Sequence, residues 1–357
     1  MKKNKIKIGL VSFISPFNPG TIFQNYALLR FINNLPNVSA ELINYRGKVR
    51  YFNGRGFIAH VKKFYFLVYS KIAACCNKKF FPILNEKTLS RKDLPSLIDK
   101  YDLFLCGSDQ IWNTQWNRYD TSYFLDFVKG GGKKGAYAPS VGMNDWPEEH
   151  KIEIKKFLSD FSFIGIREKQ GVAAAQALSD LPVHWSLDPT FLLQKDDWER
   201  IAKIPKENEY VFEYCISNSD NVRKATEKLA KEMGLPIIEY GGFRKRVPSA
   251  NRINNPDVLK WLGYLMKAKY VITDSFHGCA FSINTNKPFF AIVTGYGSRI
   301  ESVLEYFNLQ DRMITDENEI DLSKSINWNE VNGILNVGRN ECKKWLSECI
   351  FDNYPQQ

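Results

Sequence analysis

This 357-residue chain has no Cys-x-x-Cys pair, and its seven cysteines and four histidines show no zinc-ligand spacing. An odd cysteine count without a disulfide framework points to a reducing compartment. Cys106, Cys215 and Cys279 lie in or beside apolar runs and read as small core residues. No run approaches the ~18 uninterrupted apolar residues of a transmembrane helix. The basic start, Met1 to Lys7, leads into a short strand pattern rather than the apolar stretch of a signal peptide, so a cytoplasmic protein is expected. Tandem repeats and low-complexity tracts are absent. One absence is local: residues 42–85 contain no Asp or Glu but nine Lys and Arg, nearly the whole net charge of +10. That stretch also carries Tyr51, Phe52, Phe57, Phe64, Tyr65, Phe66 and Tyr69. It fits a solvated helix packed on its own domain, or a peripheral contact with the anionic inner face of a membrane. Nucleic acid is disfavoured, because no nucleic-acid motif accompanies the charge.

What is present is an alternation of strand and helix patterns in a chain long enough for two cores. Hydrophobic content of 44% and charged content of 25% fit a globular enzyme. Strands are expected at 7–13, 41–44, 103–106, 135–138 and 163–166, with helices over 23–32, 94–100, 148–159 and 168–177. A second set has strands at 210–215, 236–239, 270–273 and 288–293, with helices over 222–233, 256–268 and 275–284. Pro256 suits a first helical position, and residues 329–351 are helical by pattern. Such alternation implies parallel sheets. The expected architecture is α/β, two Rossmann-like domains facing across a cleft. The first spans 1–190 with a basic aromatic insert at 46–80, the second spans 191–330, and a C-terminal helix occupies 331–357.

In parallel α/β sheets, ligands bind just beyond the carboxyl ends of the strands. Thr273-Asp274-Ser275-Phe276-His277-Gly278 follows one strand pattern. Asp274 or Ser275 would cap the next helix, whose N-terminus favours anions. His277, two residues in, could bind phosphate as a cation or move a proton near neutral pH. A histidine that merely caps its own helix is the plain alternative. His60, His150 and His184 lack this setting. Cys106-Gly107-Ser108-Asp109-Gln110-Ile111-Trp112-Asn113 follows another strand pattern. Asp109, Gln110 and Trp112 combine a carboxylate, an amide and an indole, a mixture suited to the hydroxyls and ring face of a sugar. The alternative is an Asx turn packed by a core tryptophan. Asn18-Pro19-Gly20, with Gln24 just inside the following helix, could approach an anion, though a single Gly is no fingerprint. Arg167 ends a strand, and Arg299 opens a helix after Gly295-Tyr296-Gly297. Either guanidinium could take a carboxylate or phosphate in bidentate fashion. Asp188-Pro189 reads as a hinge turn.

In order along the chain stand Asn18-x-Gly20-x-x-x-Gln24-x-Tyr26-Ala27-Leu28, Gly107-Ser108-Asp109-Gln110-Ile111-Trp112, Tyr137-Ala138-x-Ser140-x-Gly142, Ile166-Arg167-Glu168, Asp188-Pro189-Thr190 and Asp274-Ser275-Phe276-His277-Gly278. This set resembles the polysaccharide pyruvyl transferase family over residues 7–312. The resemblance implies a fold like B-type glycosyltransferases. It implies transfer of pyruvate from phosphoenolpyruvate to two hydroxyls of a glycan sugar as a cyclic ketal, in exopolysaccharide or capsule biosynthesis. Phosphoenolpyruvate and a glycan acceptor, in many members lipid-linked, are then the expected partners. No cofactor is implied, and no metal is demanded where arginines do the electrostatic work. Ser275, His277, Gly278 and Arg167 match positions that hold the donor. Several members carry Arg two places before the histidine. With Ser275 there, either Arg299 or a lysine supplies the missing cation, or the donor differs. His277 is the expected proton donor, and Asp109 with Gln110 would hold or deprotonate the acceptor. Asn18, Gln24 and Trp112 are further expected acceptor contacts. A nucleotide-sugar glycosyltransferase on the same fold is the alternative, with Glu301 as a ribose carboxylate. A glycan- or membrane-binding module would follow only if neither donor bound.

Overall fold

The computed structural model describes residues 5–47, 57–129, 133–217, 219–241, 247, 249–293 and 298–353, with side chains at all of these except 57–63, 65, 84, 85 and 298. The chain divides into two compact units, Met1–Leu192 with Gly338–Gln357, and Leu193–Val337.

The first unit opens with β1 (Ile6–Val11), α1 (Pro19–Asn33), β2 (Val38–Leu42) and α2 (Phe57–Asn77). It continues through β3 (Leu103–Cys106), β4 (Lys134–Tyr137), α3 (Glu148–Leu158), β5 (Phe163–Ile166), α4 (Lys169–Gln176) and β6 (Val183–Trp185). All six strands are parallel, in the order β2-β1-β3-β4-β5-β6. Both faces of such a sheet are covered, so its central strands are continuous apolar runs. Ile8, Leu10, Leu103, Leu105, Ile164 and Ile166 are fully enclosed. α1 begins where Pro19 fixes φ and Asn18 caps, its Oδ1 accepting from Thr21 N at 3.3 Å.

The second unit contains α5 (Lys195–Glu199), β7 (Val211–Tyr214), α6 (Asp220–Met233), β8 (Ile237–Tyr240), β9 (Asn251–Ile253) and α7 (Val258–Lys267). β10 (Tyr270–Thr273), α8 (Phe276–Asn284), β11 (Phe289–Ile292), α9 (Ser298–Tyr306) and β12 (Met313–Ile314) follow, and α10 (Trp328–Asn353) closes the chain. Its six strands are also parallel, in the order β12-β11-β10-β7-β8-β9. Each sheet reverses its winding once, between β1 and β3 in the first and between β7 and β10 in the second. These are the switch points at which open α/β sheets bind ligands.

Several expected elements move. The second strand is Val38–Leu42 rather than 41–44, because Val38 pairs with Ile6, while Asn44 bonds the carbonyls of Ile83 and Glu86 outside the sheet. The helix expected over 94–100 is a single 3-10 turn, Leu94–Leu97, with Pro95 inside it. Pro256 precedes α7 rather than opening it. Asp257 takes the N-cap instead, its Oδ1 accepting from Leu259 N at 3.0 Å. The C-terminal helix is not a segment of its own. Up to Val337 it belongs with the second unit, and from Gly338 with the first. There Arg339 Nε donates to Phe191 O at 2.6 Å, Cys342 Sγ accepts from Leu187 N, and Trp345 stacks on His184 at 4.4 Å. Cys106, Cys215 and Cys279 are buried core thiols.

Gly278 lies where α8 meets β10, and a Cβ there would collide with Thr273 Oγ1. Thr273 cannot swing away, since its hydroxyl donates to Tyr214 O at 2.6 Å and accepts from Ser275 N at 3.0 Å. Gly278→Ala should therefore cost about 1–3 kcal/mol through overpacking. A thermal melt checks this; an unchanged midpoint would mean that α8 shifts freely.

Candidate functional site

In the first unit the two strands at the switch point are tied together by side chains. Ser12, just past β1, donates through Oγ to Ser108 O at 2.8 Å. Thr21, in the first turn of α1, donates through Oγ1 to Asp109 Oδ2 at 2.8 Å, and Gln110 N donates to Asp109 Oδ1 at 2.9 Å. Asp109 adopts φ 79° and ψ 176°, a backbone region that costs a non-glycine residue about 1–3 kcal/mol. It is held there by Ser140 N, which donates to Asp109 O at 2.8 Å. The carboxylate is half-buried, and each oxygen keeps accepting capacity. Gln110 is half-buried beside it, its Oε1 accepting from Asn113 Nδ2 at 3.0 Å, and Asn18 is exposed.

Two expected contacts are corrected here. Trp112 is fully buried, stacked on Phe124 at 5.2 Å, with its indole N–H donating to Tyr123 O, so it offers no face to a sugar. Trp116 is the exposed indole of this segment, at 53%, its backbone N donating to Asn113 Oδ1 at 3.0 Å. Gln24 is also fully enclosed, and neither amide atom has a hydrogen-bond partner in the protein, so an acceptor sugar does not reach it. Arg167 is 5% exposed at the end of β5. Its Nη1 donates to Asp188 Oδ2 at 2.9 Å and to Ser108 Oγ at 3.1 Å. Ser108 Oγ donates to the same Asp188 oxygen, and Asp188 Oδ1 accepts from both N and Oγ1 of Thr190. Through Nη1 the guanidinium braces Ser108 and the turn at Asp109. Asp188, read as a hinge, is the other half of that buried pair.

In the second unit the switch strands are tied in the same way. Asp274 does not cap α8. Its Oδ1 accepts from Ile216 N at 2.5 Å, and its Oδ2 accepts from Ser217 N at 2.8 Å and from the Cys215 thiol at 3.3 Å. Ser275 holds the N-cap position and makes no side-chain capping bond, and the first turn of α8 carries no acidic residue. His277 lies in that first turn, 8% exposed, with the Phe276 ring edge-on at 5.2 Å. The positive end of the helix therefore meets an imidazole with no carboxylate in that turn to neutralise it. Gly278 is enclosed, and close packing against Thr273 leaves no room for a Cβ there. Arg299 is half-buried in the first turn of α9, and Gly295-Tyr296-Gly297 lies outside the described residues. His150 stacks on Tyr119 at 3.9 Å and His184 on Trp345; the side chain of His60 lies outside the described residues. Among the described residues, no group of three or more His, Cys, Asp or Glu side chains is arranged to hold a metal ion.

Glu213 was not singled out by its sequence context. It is 4% exposed on β7, in register with Glu239 on β8. Arg252 Nη1 at 3.3 Å and Val247 N at 3.0 Å hold Glu239. Burial, then the charges of Glu239 and Asp274, push the Glu213 carboxyl from 4.5 up to about 8. Over that window the folded chain binds a proton that the unfolded chain has released. The contribution to stability is thus full below pH 4.5 and is lost as pH rises towards 8. Glu213→Gln should flatten this dependence, with a melting point near wild type at low pH and at least ~3 °C above it in alkaline buffer. Parallel melting curves for the two proteins across the range would refute it.

Solved structures of the same architecture include UDP-GlcNAc 2-epimerase from Neisseria meningitidis bound to UDP-GlcNAc, at 11% identity and TM-score 0.55, covering 98% of this chain and 100% of that one. The S. aureus MnaA–UDP co-structure matches at 11% identity and TM-score 0.52, covering 88% of this chain and 86% of the other. UDP-GlcNAc 2-epimerase from Methanocaldococcus jannaschii matches at 11% and 0.52, covering 96% and 99%. These likenesses define the fold class, that of B-type glycosyltransferases and UDP-GlcNAc 2-epimerases. No curated protein sequence matches the chain. The family model for polysaccharide pyruvyl transferase matches residues 18–296, and the chain belongs to that family.

Proposed function

We propose that this chain transfers the pyruvate unit of phosphoenolpyruvate to two hydroxyls of a glycan sugar, giving a cyclic ketal and free phosphate, in the synthesis of a surface or exported polysaccharide. The observation that supports it most is His277 at the positive end of α8, just past switch strand β10, in a member of this family. A donor with a phosphate and a carboxylate suits a helix N-terminus joined by a guanidinium. Arg299, on α9, supplies the cation that Ser275 does not.

As an imidazolium, His277 gives its proton to the methylene carbon of the donor, which becomes a methyl group and leaves a cationic centre at the adjacent carbon. One sugar hydroxyl bonds to that centre and gives up its proton. The bond to phosphate then breaks, phosphate leaving with the electron pair and the proton lost by the first hydroxyl. The second hydroxyl bonds to the same carbon, returns a proton to His277 and closes the ketal. In the first unit, Asp109, Gln110 and Asn18 offer hydrogen-bonding groups suited to sugar hydroxyls, and Trp116 offers an indole face.

Phosphate release from phosphoenolpyruvate, measured with a panel of galactosides, mannosaminides and glucosides, tests this reading. His277→Ala should lower kcat at least ~100-fold with a near-normal melt. Trp116→Ala should raise the acceptor KM and leave the melt unchanged, while Trp112→Ala should lower the melt by about 3–5 kcal/mol of stability. A nucleotide sugar that raises the melting point, where phosphoenolpyruvate does not, would replace this reading with a glycosyltransferase.

A further inference from the structure

α2 has two apolar faces. Its inner face carries Phe66 and Tyr69, whose rings meet Phe17 at 5.2 and 5.8 Å. Ala73 on the same side is fully buried, and Asn77 Nδ2 donates to Pro16 O at 3.0 Å. The outer face carries Phe64, Leu67, Val68 and Ile72, exposed by 65%, 50%, 39% and 50%. Their i, i+3, i+4, i+8 spacing makes one continuous stripe, roughly opposite the inner one. The other exposed aliphatic side chains, Ile152, Ile204, Ile216, Leu322 and Val337, are scattered over separate segments. A surface helix ordinarily turns charge of both signs towards water. α2 instead turns apolar groups and cations outward, with Lys71 inside the stripe and exposed Lys78 and Lys79 just beyond the helix. Nothing acidic occurs from 42 to 85 to balance them.

Charge decides what covers this face. A second copy would bring two carboxylate-free, cationic segments together, at an electrostatic cost. An anionic lipid surface suits both features, since the stripe enters the acyl boundary while lysine stems reach back to the headgroups. No helix among the described residues is long and apolar enough to cross a membrane. We propose that the outer face of α2 docks in the plane of an anionic lipid bilayer.

The full-length protein should co-sediment with vesicles of phosphatidylcholine and phosphatidylglycerol, and far less with phosphatidylcholine alone. Leu67→Glu/Ile72→Glu should weaken that partitioning at least about ten-fold, while Ile152→Glu should leave it unchanged. A melt confirms folding, and the milder pair Leu67→Ser/Ile72→Ser serves if the Glu pair melts early. Binding to anionic vesicles that persists in the correctly folded double variant would overturn the proposal, as would its absence in the wild type. A concentration-dependent dimer abolished by the same pair, without vesicle binding, would assign the face to a second copy instead. None of these outcomes depends on which donor the enzyme uses.

Discussion

Where a parallel sheet reverses its winding, the chains leaving the two central strands part, and backbone groups just past the strand ends lose their ladder partners. Where such groups are buried, leaving them unsatisfied costs stability. This protein meets the problem twice with short polar side chains. In the first sheet Ser12 reaches the backbone of Ser108, and Thr21 reaches the carboxylate of Asp109. In the second, Thr273 reaches the backbone of Tyr214, and Asp274 gathers the amides of Ile216 and Ser217. Each carboxylate is thus a structural clamp first. The positions of Asp109 and of the His277 turn follow from these clamps.

The clamps also set how rigidly the reactive groups are held. Asp109 keeps its positive φ because its carboxylate, its carbonyl and the amide of Gln110 are all engaged. The Arg167–Asp188 pair beneath it carries no net charge, and removing one partner would strand a buried ion at about 3–5 kcal/mol. A site built this way loses little to reorganisation when charge develops, the condition under which fixed dipoles and charges assist a reaction most.

The alternation of strands and helices was legible because buried parallel strands are unbroken apolar runs, and the two switch-point motifs were legible because polar residues directly after such runs have few other reasons to be there. The short edge strands β6, β9 and β12 left no pattern, since two or three residues define no period. Side-chain direction was the commoner failure. Trp112 and Trp116 lie four residues apart in one polar segment, and only the packing of Trp112 on Phe124 separates core from surface. Arg167 resembled a free cation because Asp188, its partner, is 21 residues away. Glu213 sits inside an apolar strand, where a single carboxyl reads as noise until Glu239 appears beside it in register.

Charge accounting bears on the proposed reaction. Phosphoenolpyruvate brings a phosphate and a carboxylate. Arg167 Nη1 is already paired with Asp188, and Ser275 at the N-cap of α8 brings no charge. Among the described residues of the second unit, the positive groups suited to this donor include the N-terminus of α8, Arg299 and His277 in its protonated form. In the proposed reaction the imidazolium is part of the anion site as well as the acid. Donor binding and protonation of His277 then favour one another by linkage, so the donor itself helps to recruit the proton that its methylene carbon receives.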